Sequence, residues 1–207
     1  MLDYIFEKQI KLRPAKDRKY YEEITNTFLD VYFTEKDKQR VDDYITRMPK
    51  SKWQEKQRRN DSGQGESRER TGKFAEIAAE KFTGYKFSKD SWGNSFDYDK
   101  PDLLPAGLKI GVKGCMLGFP LIRKNRPSTY PEIIVIVDSS EDFATILGLA
   151  TPEVLNSSHY DDGIKSLNIK KQGIKTSFAA FEKLIPFYSG RELSIVANYS
   201  SQYIDWD

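Results

Sequence analysis

Apolar residues recur at a helical period along parts of this chain, alternate in others, and in one stretch run unbroken. From Tyr20 to Phe33 the residues Tyr21, Ile24, Phe28 and Val31 fall roughly on one face, which predicts a helix. Thr34, with Asp37 three residues on, has the pattern of a variant N-cap pair opening a second helix. Val41, Tyr44, Ile45 and Met48 share one side of it, and Pro49 stops it. Gly72 to Phe82 predicts the clearest helix: Phe74, Ile77, Ala78 and Phe82 are spaced to face a core, while Glu76 and Glu80 share a different face. Gly84 ends it.

The second half of the chain changes period. A turn-rich stretch, SWGNSFDYDKPD, leads to Leu103 and Leu104, and a turn follows at Pro105 to Gly107. Leu108 to Cys115 then alternates, sending Ile110 and Val112 to one side and Lys109, Gly111 and Lys113 to the other. Asp102 is thus expected to enter a hairpin whose second strand carries Lys113. Glu132 to Val137 (EIIVIV) is a continuous apolar run, the mark of a central strand buried on both faces. Phe143 to Leu149 predicts the next strand, and Thr151 caps a short helix at Pro152 to Leu155. Thr176 to Leu184 reads as a helix with Phe178, Phe181 and Leu184 inward, and Leu193 to Tyr199 as an edge strand. Helices followed by mixed strands and helices predict an α/β fold, a central mixed β-sheet flanked by helices. Residues 1–70 read as a helical N-terminal elaboration and 71–207 as the α/β core, in one compact domain.

Composition narrows the partners. With 31% charged residues the chain needs exposed helices and at least one solvated loop. The loop is expected from Lys50 to Lys73, where eight positive residues (Lys50, Lys52, Lys56, Arg58, Arg59, Arg68, Arg70, Lys73) face four negative ones and the centre is NDSGQGES. Net charge is only +2, so a nucleic-acid surface has to be a local patch. Arg58, Arg59, Arg68, Arg70 and Lys73 form one candidate patch, positioned to contact phosphates without reading sequence; Trp53 lies within that loop. Arg123, Lys124, Asn125 and Arg126 form a second patch. Cys115 is the only cysteine, which excludes an intramolecular disulfide and a thiolate zinc cluster. His159, the only histidine, reads as a loop residue, so no Ser-His-Asp arrangement is expected. No window approaches about 18 consecutive apolar residues, and the N-terminus lacks the pattern of a signal peptide. The expectation is a cytoplasmic protein with no membrane partner (in the host cytoplasm if phage-encoded).

Three residues stand in an order that suits phosphodiester hydrolysis: Glu76 on a helix, Asp102 before a turn, and Lys113 on the strand after it. Attack of water on a phosphodiester needs a divalent ion to stabilise developing charge and acidify the water. Magnesium takes hard oxygen ligands, commonly one or two carboxylates with waters and substrate phosphate. A lysine beside that water can orient it, take part in proton transfer and balance phosphate charge.

Pro101-Asp102 followed by Gly111-Val112-Lys113 resembles the PD-(D/E)XK signature of the restriction-endonuclease-like nucleases, and Gly72-Lys73-Phe74-Ala75-Glu76 resembles the helix preceding it in many members. The resemblance covers about residues 70 to 150. It implies a restriction-endonuclease-like core and a DNA endonuclease of restriction, phage or repair type using Mg2+ or Mn2+. By that resemblance Asp102 and Glu76 bind the metal, the Val112 carbonyl contributes, and Lys113 positions the water. Many members dimerise so that two sites cut two strands, so a homodimer is compatible. One position departs from the family: its last acidic residue falls at Gly111, which has no ligand. Glu132, Glu80, Asp97 and Asp99 are the candidate replacements, and Asp138 is less well placed. The alternative is a catalytically silent nuclease fold that binds DNA or a partner protein. A third reading, a structural protein in which the three residues are surface accidents, requires them to lie far apart.

Overall fold

The unbroken apolar run is a strand buried along its whole length, and the rest of the fold is arranged around its two faces. The computed structural model describes residues 29–48, 65–87, 100–116, 120–123, 127–157, 159–160, 175–178 and 180–202. In chain order these form strand β1 (Leu29–Tyr32), helix α1 (Glu35–Arg47), helix α2 (Gly65–Thr83), a 3-10 turn (Leu104–Ala106) and strands β2 (Gly111–Cys115), β3 (Leu121–Arg123), β4 (Glu132–Val137) and β5 (Phe143–Ala150). Helix α3 (Pro152–Ser157), strands β6 (His159–Tyr160) and β7 (Lys175–Phe178), a 3-10 turn (Phe181–Lys183) and helix α4 (Gly190–Gln202) follow.

A four-stranded mixed sheet runs β1-β5-β4-β2, with β2 parallel to β4 and the other pairings antiparallel. Ile133, Val135 and Val137 point from β4 to one face, where they join Phe74, Ile77 and Ala78 of α2, Val41 of α1 and Leu193 of α4. Ile134 and Ile136 point to the other, where they meet Ile122 of β3, Leu155 of α3, Phe178 of β7, Phe181 and Leu184. The three strands β3-β7-β6 form a second small sheet on this side. Two buried faces leave no place for a polar residue after Glu132, which is why the sequence of β4 does not alternate. The fold is therefore α/β, a mixed sheet flanked by helices. No described helix is long and apolar enough to cross a membrane.

Local signals explain several boundaries. Thr34 and Asp37 form the reciprocal cap: the Asp37 N–H donates to Thr34 Oγ1 at 3.3 Å, and the Thr34 N–H donates to Asp37 Oδ2 at 2.8 Å. Thr151 caps α3 through the Val154 N–H at 3.3 Å. At the turn before β2, Gly107 has φ +79°, a left-handed conformation that a side chain would disfavour.

Elsewhere the sequence expectation is corrected. Residues 29–32, expected at the end of a helix, are a strand: β1 pairs with β5, and the Thr145 hydroxyl donates to Asp30 Oδ1 at 2.7 Å. Residues 65–71, expected in a loop ahead of the helix from Gly72, are the first part of α2. The expected helix from Thr176 to Leu184 is instead β7 followed by a 3-10 turn, although Phe178, Phe181 and Leu184 are buried as expected. Leu193 to Tyr199 is helical, not an edge strand. The expected hairpin is a closed turn: Leu103 N–H donates to the Ile110 carbonyl at 2.9 Å, and among the described residues β2 pairs only with β4. Residues 20–28, Trp53, Arg58, Arg59, Asp97, Asp99, Lys124, Asn125 and Arg126, with the side chains of Arg123 and His159, lie outside the described residues.

Candidate active site

Backbone contacts bring the acidic helix to the lysine strand. Helix α2 crosses β2 so closely that a β-carbon on Gly114 would stand 2.6 Å from Ala75 Cβ and 3.1 Å from the Thr71 carbonyl oxygen. Only glycine permits this approach, and it sets Glu76, one residue beyond Ala75, over the β2 end of the sheet. Asp102 reaches the same strand from the preceding turn: its Oδ2 accepts the Val112 N–H at 2.6 Å. The turn from Leu103 to Ile110 thus does what the expected hairpin was to do, folding Asp102 back onto the Gly111-Val112-Lys113 stretch.

Glu132 completes the cluster from the neighbouring strand. Its position in the parallel register is beside Gly111, and its Cγ lies 3.2 Å from where a β-carbon on residue 111 would be. Tyr130 Cε2 lies 2.8 Å from that same point. The space that an acidic side chain at 111 would occupy is therefore filled by the Glu132 side chain and the Tyr130 ring. Lys113 Nζ stands 2.8 Å from Glu132 Oε2. That contact is an ion pair without hydrogen-bond geometry, so buried Oε2 accepts no hydrogen bond among the described residues. Ser128 Oγ donates to Glu132 Oε1 at 3.5 Å. Asn156 of α3 clamps the backbone of Ser128, accepting its N–H at 2.8 Å and donating to its carbonyl at 3.0 Å.

The charges feel one another. Glu76 and Glu132 are 7% and 8% exposed, so neither lies on the solvated face that a plain helix or strand carboxylate would occupy. Lys73 Nζ pairs with Glu76 Oε1 at 2.7 Å. Asp102 is pushed up to about 7, first by burial and then by the charge of Glu76, with Glu132 adding; the Val112 N–H and the Lys73 charge pull the other way. A carboxyl held this high by burial, with acidic neighbours adding, is one a bound cation would ionise.

The donor types suit magnesium: hard carboxylate oxygens, one of them buried and lacking a hydrogen bond, around a carboxyl whose ionised form is disfavoured by burial and then by neighbouring negative charge. As the side chains stand, no three carboxylate, histidine or cysteine groups among the described residues are close enough to hold an ion together. Lys73 and Lys113 engage two of the carboxylates instead.

Other expected residues are engaged elsewhere. Glu80 Oε2 accepts Arg40 at 3.1 Å and its Oε1 accepts the Phe87 N–H at 2.8 Å, so its carboxylate is built into the packing of α2. Asp138 caps the β4–β5 turn through Ser140, at the far end of β4 from Glu132. Arg70 joins three elements by pairing with Asp42 of α1 and Glu141 of the β4–β5 turn. Arg68 lies half-buried on α2. Ser128, Tyr130 and Asn156 were not singled out by sequence reasoning. Only the proximity of Tyr130 to Glu132 in the chain was a signal for any of them.

No family model, no curated protein and no solved structure matches the chain.

Proposed function

We propose that this protein is a metal-dependent nuclease that hydrolyses phosphodiester bonds in DNA, with a restriction-endonuclease-like core. The observation that carries this reading is the position of Glu132. A carboxylate from the next strand fills the space beside Gly111, in the cluster with Asp102, Glu76 and Lys113. On this reading Glu132 stands in for the one acid missing from the signature. Helix α2 lying across a mixed sheet, with α2 and the Asp102 turn both contacting the edge strand β2, also supports the reading.

In this account Asp102, Glu76 and Glu132 would hold a magnesium or manganese ion, with the Val112 carbonyl as a further oxygen donor. The ion supplies Lewis acidity and lowers the pKa of a bound water. The chain's own residues do the rest. The Val112 N–H fixes one oxygen of Asp102 and leaves the other for a ligand. Lys113, drawn to Glu132, holds a positive charge where an attacking water and a phosphate oxygen meet. Ser128 and Asn156 keep the start of β4, and with it Glu132, in place. Of the basic patch expected to contact phosphates, Arg68, Arg70 and Lys73 are described on α2; Arg70 is engaged within the fold, which leaves Arg68 and Lys73 for that role.

The pairing of Lys73 with Glu76 and of Lys113 with Glu132 favours a second reading, a silent nuclease fold that binds DNA without cutting it. Digestion of supercoiled plasmid and linear duplex with Mg2+, Mn2+ or EDTA separates the two. Metal-dependent cleavage lost in Asp102→Asn and Glu132→Gln supports the nuclease. DNA binding without cleavage in every metal supports the silent protein.

A further inference from the structure

Glu76 is a buried carboxylate, and a buried charge is stable only with a partner. One partner is Lys73, one turn earlier on α2, whose Nζ stands 2.7 Å from Glu76 Oε1; the two side chains, Lys73 and Glu76, are 12% and 9% exposed. The same ammonium lies 5.0 Å from the centre of the Tyr44 ring on α1, so it sits between a carboxylate and an aromatic face. A surface i,i+3 pair contributes little and exchanges freely with water. This pair is enclosed by a second helix, and it involves a carboxylate that the nuclease reading assigns to the metal.

We infer that Lys73 is a resident counter-ion of the site, holding in the metal-free protein the place on Glu76 that a divalent ion takes in the working one. The inference rests on the metal-binding reading and adds to it a regulation of metal affinity. Lys73 keeps the buried Glu76 compensated, so α2 can pack before any metal arrives. It also competes with the metal, so Glu76 must give up one cation to accept another. The ring of Tyr44, already beside the ammonium, can retain it once Glu76 is taken, without full exposure to water. From there the ammonium remains available to a phosphate oxygen of the substrate, the role expected of Lys73 from its place in the basic patch.

Direct competition differs from a mere field effect in what an arginine does. Lys73→Met removes the competitor and keeps the apolar stem. Lys73→Arg keeps the charge but grips a carboxylate with a planar fork. Titration of the full chain with Mn2+ by calorimetry, beside thermal melts with EDTA and with Mn2+, reads both effects. The expected order of Mn2+ affinity is Lys73→Met above the parent and the parent above Lys73→Arg. The outer pair is expected to differ by about tenfold or more, as for loss or gain of a charge-assisted contact. Lys73→Met should melt lower than the parent in EDTA and regain most of the difference with Mn2+. Should Lys73→Met be too unstable to titrate without metal, weaker binding by Lys73→Arg carries the test alone. Equal Mn2+ affinity in the parent and the variants that fold overturns the inference while leaving the metal site standing. Failure of every protein to bind Mn2+ overturns both this inference and the nuclease reading.

Discussion

The side chain of Glu132 occupies the space that residue 111 leaves empty: a β-carbon on Gly111 would stand 3.2 Å from Glu132 Cγ. An acid at 111 and the present Glu132 cannot both be accommodated without movement. The same point lies 2.8 Å from Tyr130 Cε2, so even alanine at 111 must push a ring. Gly111→Ala is expected to cost about 1–3 kcal/mol, the range for overpacking a filled site. Adding Tyr130→Ala should return part of that loss, and urea melts of the two single variants and the double variant measure the coupling. Independent, additive losses would mean that the ring does not set the size of residue 111.

Asp102 makes stability depend on pH in an unusual direction for a carboxylate. Its folded-state pKa, about 7, lies above its ordinary value of 3.8, so the folded protein holds this proton more tightly than the unfolded chain does. The stability it lends is complete below its ordinary pKa, falls as pH rises toward 7, and is gone above that. Asp102→Asn keeps an oxygen for the Val112 N–H and removes the titration. Relative to the parent it should gain roughly 1–4 kcal/mol on going from pH 4 to pH 8, because each pH unit between the folded and unfolded pKa is worth about 1.4 kcal/mol. Chemical denaturation at both pH values checks this, and a parallel pH dependence in the two proteins would contradict it.

A divalent ion should reverse the cost. Mg2+ or Mn2+ binds the ionised form, so the rise in melting temperature on adding metal should be larger at pH 8 than at pH 5.5. Asp102→Asn should show little metal-induced rise at either pH. A metal response that grows as pH falls would place binding elsewhere.

Gly114 governs how closely α2 approaches the strand of Lys113. Its β-carbon would meet Ala75 Cβ at 2.6 Å and the Thr71 carbonyl, a backbone atom that cannot swing away, at 3.1 Å. Gly114→Ala is expected to cost about 1–3 kcal/mol and to weaken Mn2+ binding by moving Glu76 off the β2 edge. Gly72, whose β-carbon would meet nothing within 4 Å, provides the contrast: alanine there should leave metal affinity unchanged.

Arg70 distinguishes a structural arginine from a DNA-binding one. It pairs with Glu141 and Asp42 inside the fold, and Glu141 sits at φ +58°, held in a conformation that few residues adopt without a tether. Arg70→Ala should lower stability by about 1–3 kcal/mol and change the salt dependence of DNA binding little. A loss of DNA affinity at unchanged stability would return Arg70 to the phosphate-contacting group.

What was legible in the sequence was what neighbouring residues decide among themselves. Thr34 and Asp37 cap α1 within one turn, and the unbroken run from Ile133 to Val137 requires two apolar faces wherever it sits. Segments fixed by distant partners were read less well. Leu29–Tyr32 carries apolar residues at a spacing that helix and strand both allow, and only pairing with β5, more than a hundred residues away, decides for strand. The start of α2 is polar and looked like loop, but Arg70 and the buried Thr71 tie it to the rest of the fold. The β-branched residues of SIVANY drew α4 toward a strand. The missed signal was its start: Glu192 N–H donates to Ser189 Oγ at 3.2 Å, and the Glu192 carboxylate accepts the Tyr188 N–H at 2.7 Å.

At the candidate site, Asp102 and Lys113 were singled out by their spacing around a turn, and the structure joins Asp102 to Val112 directly. Glu132 could be named only as one of several replacements, because nothing in a sequence says which strand lies beside Gly111. The parallel register of β2 and β4 carries that information. The ion pair between Lys73 and Glu76 was within reach, since residues three apart on a helix are neighbours, but its burial was not.

The most direct test of a metal site completed by Glu132 is cleavage of supercoiled plasmid in Mg2+ and in Mn2+. The parent, Asp102→Asn and Glu132→Gln are compared, with EDTA as the control and folding verified by circular dichroism. Metal-dependent nicking or linearisation is expected of the parent. Each folded variant should lose at least about a hundredfold, the scale on which loss of a metal or transition-state ligand is felt. Cleavage that survives Glu132→Gln undiminished would contradict the claim that this residue replaces the acid missing at Gly111.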